Sequence, residues 1–358
     1  MEPCKCKVYS DLRSVGESVK IAFKQIRSNS GTDIWTDSLS ASLRRQGVEC
    51  TVTYYPTPYG FFPQLLKGQN SEERPADITH CNTWNGFAFK DSCPMVVTEH
   101  HVVHDPILKP YKSCAQRAYH RLIYRYELRS LELADYVTCV SEYTRDKLEQ
   151  TFGYSDAKVI YNGIDVDMFQ PQEINRAEVL KRFNIPSVFV KDKTILLFVG
   201  NPSRRKGVDL LPKIMSQLSE SHILLVTSGL QNVQTVDNRI ISVGNVPQNG
   251  LPYLYNLCDI LLFPSRLEGF GLAVAEAMAC KKPVVTTNQS SLPELIVNEK
   301  GGFLCEADNI KDYVEKVRLL EDADLRCSMG KYNRSRVLSM FTSADMTKNY
   351  LKLYQSLK

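Results

Sequence analysis

No apolar run in this 358-residue chain approaches the ~18 residues that a helix needs to cross a bilayer. Hydrophobic stretches such as Thr194–Val199 and Ile223–Val226 are short and read as buried parallel strands. The opening segment Met1-Glu2-Pro3-Cys4-Lys5-Cys6-Lys7 has none of the apolar core of a secretion signal, so the chain is expected in the cytoplasm. Its eleven cysteines include no Cys-x-x-Cys pair and no histidine at metal-ligand spacing, which argues against a disulfide framework and a zinc site and for buried free thiols. Low-complexity tracts and short-period repeats are missing as well. A net charge of +4 is mild: it suits anionic substrates or lipid surfaces, and with no nucleic-acid motif beside it, nucleic acid is not expected as a partner.

What is present is the balance of a soluble globular protein, 23% charged and 43% apolar, at a length that accommodates two domains. Apolar strand-like runs alternate with helical patterns throughout, the mark of doubly wound α/β domains. Strands are predicted near Lys7–Tyr9, Glu49–Tyr54, Ile78–His80, Met95–Thr98, Tyr136–Val140 and Lys158–Tyr161 in the first half. The second half repeats the pattern near Thr194–Val199, His222–Thr227, Ile240–Val243, Asp259–Phe263, Pro283–Thr286 and Gly302–Cys305. The clearest helices are Trp35–Gln46, Ala115–Ala134, Val208–Leu218, Leu251–Leu257, Leu272–Ala279 and Ile310–Glu321, and the two halves join near Gly163–Gln172.

The most informative stretch is Pro264-Ser265-Arg266-Leu267-Glu268-Gly269-Phe270-Gly271-Leu272, which continues to Glu276, eight positions beyond Glu268. Asp259–Phe263 reads as a buried strand, Pro264–Gly269 as the loop leaving its carboxyl end, and Gly271 onward as a helix of small residues. A glycine-flanked loop running into a helix N-terminus collects unpaired N–H groups and a positive dipole end, and so makes a pocket for a phosphate ester. The cluster Arg204-Arg205-Lys206 follows another strand, Thr194–Val199, at the place where open α/β sheets hold ligands.

Together these segments resemble retaining glycosyltransferase family 4, whose members carry two glutamates separated by seven residues. Five further segments are similar to the family and occur in its order: Val140-Ser141-Glu142, Ile160–Asp165, Phe198–Leu211, Pro283–Val285 and Leu292–Ile296. The resemblance implies the GT-B architecture, in which two Rossmann-like doubly wound domains face each other across a cleft. It would place an acceptor-side domain at 1–163, a linker at 164–172, a donor-side domain at 173–343, and a helix at 344–358 that crosses back to the first domain. It also implies a metal-independent hexosyltransferase with no cofactor, whose partners are a nucleotide-diphosphate sugar and a saccharide or lipid-linked acceptor.

Residue by residue, the resemblance gives Glu276 the ribose hydroxyls and Glu268 the hydroxyls of the donor sugar. Lys206 and Arg205 would meet the diphosphate; the family's arginine directly after the strand glycine is replaced here by Asn201, so Arg204 stays an alternative to Arg205. The segment Gly269, Phe270, Gly271 and Leu272 would approach sugar and phosphates through backbone amides. In the first domain His100, at the end of Val97-Thr98-Glu99, is the catalytic candidate, with His101 and His104 close by; the family's second histidine corresponds to Asn82. Gly31 in Ser30-Gly31-Thr32-Asp33 is the candidate for the first-domain glycine loop.

Other features admit less specific readings. Asp165-Val166-Asp167 imitates a metal-binding Asp-x-Asp but lies in the linker, so no metal site is assigned. The aromatic segment Tyr54–Leu66, with too many prolines for a regular element, is expected to cover the acceptor cleft, touch a membrane or fold into a local core. Arg117, Arg121, Arg125 and Arg129 recur every four residues and form a stripe on one helix, either a plain solvated face or a contact for an anionic membrane surface, which would make the protein peripheral at the inner face of a membrane. Two rival functions remain open: a glycoside hydrolase using Glu268 and Glu276, and a non-catalytic sugar-nucleotide-binding subunit.

Overall fold

The computed structural model describes residues 19–28, 30–67, 76–227 and 237–357. Twelve parallel strands form two six-stranded sheets. The first contains β1 (Lys20–Ile26), β2 (Glu49–Tyr55), β3 (Ile78–Asn82), β4 (Met95–Glu99), β5 (Tyr136–Cys139) and β6 (Lys158–Val159), in the order β2-β1-β3-β4-β5-β6. The second contains β7 (Thr194–Phe198), β8 (His222–Val226), β9 (Ile240–Ser242), β10 (Ile260–Phe263), β11 (Val284–Thr287) and β12 (Gly302–Cys305), ordered β12-β11-β10-β7-β8-β9. The second order is that of a Rossmann fold, and the chain is therefore two Rossmann-like α/β domains. Helices cover both faces of each sheet, which is why its central strands are buried along nearly their whole length.

Each sheet has a point where the strand order reverses, and loops there diverge to leave a crevice. In the second sheet it lies between β7 and β10, paired through Leu196 with Ile260 and Leu197 with Leu261. The crevice of the first sheet falls between β1 and β3. These two crevices position the candidate site.

Several elements differ from the sequence expectation. The strand expected near Lys7–Tyr9 lies outside the described residues, and β1 was not anticipated. Its apolar run is interrupted by Lys24 and Gln25, yet both are buried: Lys24 reaches Asp91 at 3.3 Å and Gln25 bonds to Thr36. Val208–Leu218 forms a helix only over Leu211–Met215, since Gly207 takes a left-handed conformation (φ 72°) and Pro212 is accommodated in the first helical turn. The helix expected to start at Trp35 begins at Gly31, capped by Ser30, so Gly31 is a first-turn residue rather than part of a loop. Within Tyr54–Leu66, strand β2 takes Tyr54 and Tyr55, and two 3₁₀ turns follow, Thr57–Gly60 and Pro63–Leu66, each with a proline in its first turn. The helix Glu142–Phe152 falls between two predicted strands, as the alternating pattern requires, whereas Ala323–Met340 was not anticipated.

The last helix, Ser343–Ser356, leaves the second domain and packs on the first. Met346, Tyr350, Leu353 and Tyr354 join Phe23, Trp35, Leu39 and Ile78 in one buried cluster. The Tyr354 hydroxyl lies 2.6 Å from His80 Nδ1, while His80 Nε2 lies 2.7 Å from the Thr98 hydroxyl. Burial first, then the neighbouring His100, presses the His80 pKa down to about 3, so this network is neutral at physiological pH. Tyr350 is fully buried, edge-on to Trp35 with its hydroxyl 3.2 Å from that of Thr138. Replacing Tyr350 with Ala is expected to cost about 3–5 kcal/mol of stability, and Tyr350→Phe only about 1 kcal/mol, as read by urea unfolding. Equal losses in the two variants would mean that hydrogen bonding, not packing, seats the helix.

Candidate active site

At the crevice of the second domain, the loop after β7 supplies Lys206 and the loop after β10 supplies Glu268. Arg204–Lys206 forms one 3₁₀ turn, capped by Ser203 and ended by Gly207, whose added Cβ would overlap the carbonyl of Pro264. The two loops are thereby pressed together. Lys206 Nζ sits 2.7 Å from Glu268 Oε1 and 2.9 Å from Oε2, above the Phe263 ring. The Ser265 hydroxyl also donates to Glu268 Oε1, and Arg205 donates to the Leu267 carbonyl at 2.6 Å with its guanidinium 3.7 Å from Glu268. Arg204 is exposed, its carbonyl held by Arg266. Arg205 is thus the arginine at the crevice.

These contacts set the charges. Burial opposes ionisation of Glu268, but the Lys206 and Arg205 charges, with hydrogen bonds from Lys206 and Ser265, outweigh it and hold the carboxyl below its usual range. For Lys206, burial lowers the ammonium pKa and Glu268 restores part of it. Glu276 differs. It is buried on helix Leu272–Ala279, and burial lifts its pKa to about 7 against the opposing hydrogen bond from the Tyr255 hydroxyl (2.8 Å) and the charge of Lys206. Gly271, at φ 100°, begins this helix with no side-chain cap. No side chain caps its first-turn amides, the condition in which a helix N-terminus can receive an anion.

The first domain meets this loop directly. A Cβ on Gly269 would overlap the carbonyl oxygen of His100 and lie 3.2 Å from the His101 Cβ, so only glycine permits the approach. His100 stands edge-on to Trp35, with its Nε2 buried and without a hydrogen-bond partner, and burial lowers its pKa to about 3. Its neighbour His101 is more closely coupled to the second domain: after burial, the charge of Arg205 contributes most to its pKa of about 3, and Glu268 and Lys206 are also felt. Both histidines are neutral hydrogen-bonding groups at pH 7. His104 instead pairs with buried Glu127 at 2.8 Å, away from the crevice.

Both histidines line a cavity of about 360 Å³ at the first crevice, whose walls include Arg27, Ser28, Asn82 and Trp84. Asn82 gives its amide to Gln25 at 3.3 Å. Gly31 lies across the cleft from Leu272, where a Cβ would stand 3.5 Å from the leucine methyl. Asp165 accepts from the amides of Asp167 and Met168 and so shapes a linker turn. Among the described residues no group of three or more acidic, histidine or cysteine side chains is placed to hold a metal.

Three participants were beyond sequence reasoning: Tyr255, Ser265 and Glu294. The Glu294 carboxylate crosses from the second domain and accepts from the amides of Glu142 (3.0 Å) and Tyr143 (2.8 Å), at the N-terminus of helix Glu142–Phe152. Thr144 of that helix donates to the Gly269 carbonyl at 3.1 Å. The segments Val140-Ser141-Glu142 and Leu292–Ile296 both stood out in the sequence; their mutual contact did not.

Comparison with known proteins agrees with this fold. Residues 181–336 match the family described as glycosyl transferases group 1, and residues 51–168 match glycosyltransferase family 4. Each half of the chain thus resembles a glycosyltransferase domain. Sucrose-phosphate synthase from Thermosynechococcus elongatus shares the fold at TM-score 0.80 and 21% identity, over 94% of this chain and 99% of that one. Anabaena HepE, solved with UDP and glucose, aligns at TM-score 0.76 and 18% identity over 94% and 100%. N-acetyl-alpha-D-glucosaminyl L-malate synthase of Bacillus anthracis is 27% identical over 63% of this chain and 60% of its own length. Matches to such curated relatives span between 55% and 64% of the relatives' length.

If the Tyr255 hydroxyl is what restrains the Glu276 pKa, Tyr255→Phe must raise it from about 7, because removing a donor to the carboxylate favours the protonated form. Carboxyl ¹³C NMR titration reads the shift. An unchanged or lower midpoint would assign Glu276 to a different environment.

Proposed function

We propose that this chain is a retaining, metal-independent glycosyltransferase that moves a hexose or N-acetylhexosamine from a UDP- or GDP-sugar to an acceptor hydroxyl on a growing surface glycan or lipid-linked saccharide. The observation that carries the reading is the largely buried Lys206–Glu268 pair at the second crevice, facing the first-domain histidines across Gly269. HepE, with UDP and glucose bound to the same fold, supports a nucleoside-diphosphate donor.

In this reading the leaving diphosphate rests against Lys206, Arg205 and the amides at Gly271 and Leu272. Lys206 has three N–H donors, and contacts to both oxygens of Glu268 leave one for a phosphate oxygen. Charge developing on the leaving group is met by fixed cations and dipoles, so no metal is needed. Glu268, held ionised, accepts from hydroxyls of the donor sugar, and Glu276 accepts from the ribose. His100 and His101, neutral and at the cavity, hydrogen-bond the transferred sugar and the incoming hydroxyl. The front-face attack implied by the family resemblance lets the leaving phosphate take the acceptor proton. A hydrolase is less well supported, because it would have no use for the Lys206 and Arg205 cations gathered at the crevice.

Lys206→Ala and Glu276→Ala are each expected to weaken UDP or GDP binding by about 10–150-fold, the worth of a charge-assisted hydrogen bond of ~1.5–3 kcal/mol, by isothermal calorimetry. Wild-type affinity in both variants would move the donor elsewhere. Transfer should also persist in EDTA; loss that Mg²⁺ or Mn²⁺ restores would replace the cationic mechanism with a metal-assisted one.

A further inference from the structure

We propose that the turns at Thr57–Leu66 and the exposed face of helix Cys114–Leu133 together form a docking surface for an anionic lipid membrane. Three large apolar side chains project from the turns: Phe61 is 52% exposed, Phe62 58% and Leu65 60%. They are held out by a built framework. The Tyr119 hydroxyl donates to the Gly60 carbonyl at 3.2 Å, the Tyr126 hydroxyl to the Phe61 carbonyl at 3.0 Å, and the Phe61 and Tyr119 rings pack at 5.0 Å. With Pro58 and Pro63 fixing the two turns, the apolar tips cannot fold back into the domain without breaking these bonds.

The flanking charge identifies the occupant. Arg117, Arg121, Arg125 and Arg129 are all exposed on the same helix, and at about 100° per residue the stripe winds toward the side of Tyr119 and Tyr126, with Arg125 and Arg129 its near end. Arg129 and Lys67 both lie over the Phe87 ring, at 5.4 and 5.9 Å, which brings the basic face up to the end of the second turn. Glu132, beside Arg125 and Arg129, only partly offsets it. Projecting aromatic and aliphatic tips flanked by arginines match the layering of an anionic interface, acyl chains below and phosphates above. No described helix is long and apolar enough to span a membrane, so attachment through this surface would be peripheral.

The surface adjoins the candidate acceptor cavity, since Thr57, Gly60, Tyr119 and Ile123 line that cavity from the same two elements. A lipid-borne saccharide would reach His100 and His101 without the chain leaving the bilayer. That last step rests on the proposed glycosyl transfer; docking does not.

Flotation of the full chain with vesicles tests docking by itself. Binding is expected to phosphatidylcholine vesicles containing phosphatidylglycerol, to be weak on phosphatidylcholine alone, and to be lost near ~1 M salt, where screening shortens to about 3 Å. Arg125→Glu with Arg129→Glu should reduce partitioning at least about thirtyfold, at roughly fivefold per removed charge, and Phe62→Ser with Leu65→Ser about tenfold or more. Nucleoside-diphosphate thermal shifts should be unchanged in both variants, which shows that they fold. Wild type that ignores the anionic vesicles at low salt, or variants that bind as well as wild type, would overturn the proposal. So would concentration-dependent self-association that Phe62→Ser/Leu65→Ser abolishes while vesicle binding survives. Flotation failing with nucleotide binding intact removes the docking surface and leaves the donor site standing.

Discussion

A lysine and a glutamate, each nearly buried, are paired at the point where the second sheet reverses its strand order, and the rest of the site depends on that pair. Neither charge could be left there alone, because a buried ion without its partner is strongly destabilising. The requirement pins the loop after β7 to the loop after β10. Arg266 adds a second brace, bridging Asp209 at 2.7 Å and Asp308 at 2.6 Å from beneath the same turn. With both loops fixed, the Gly271 helix start and the Glu276 carboxylate have one possible placement relative to Lys206.

The same constraint reaches the first domain. Gly269 follows Glu268 directly, and its missing side chain lets the His100 backbone come into contact. Around this point the domains are tied by polar contacts rather than by a large apolar face: Glu294 on the Glu142 and Tyr143 amides, Thr144 on Gly269, and the Tyr111 hydroxyl on Asp308 at 2.8 Å. Contacts of this kind exchange with water at modest cost, as the proposed entry and release of a nucleotide sugar would require. The crossing helix Ser343–Ser356 contrasts with them, since its tyrosines are locked in an apolar core.

Burial divides the titratable groups by function. Histidines at the interface are kept neutral, Glu268 is kept charged by its cations, and Glu276 is held near a pKa of about 7 between burial and the Tyr255 hydroxyl. Two glutamates from one short motif thus acquire different chemistry from their neighbours, not from their own type.

The sequence by itself determined the doubly wound class and the outline of most strands and helices, because hydrophobic periodicity and loop signals are local. It also singled out Lys206, Glu268 and Glu276, since a strand, a loop and a helix start carry their meaning within a few residues. β1 escaped because Lys24 and Gln25 interrupt its apolar run, and their partners Asp91 and Thr36 are on other elements. Only the tertiary structure decided that Lys206 grips Glu268, that Tyr255 restrains Glu276, that His101 rather than His104 shares the crevice, and that Phe61, Phe62 and Leu65 lie beside the arginine stripe. Each of these joins residues remote in the chain, and such contacts are set by strand order and packing, on which local pattern is silent.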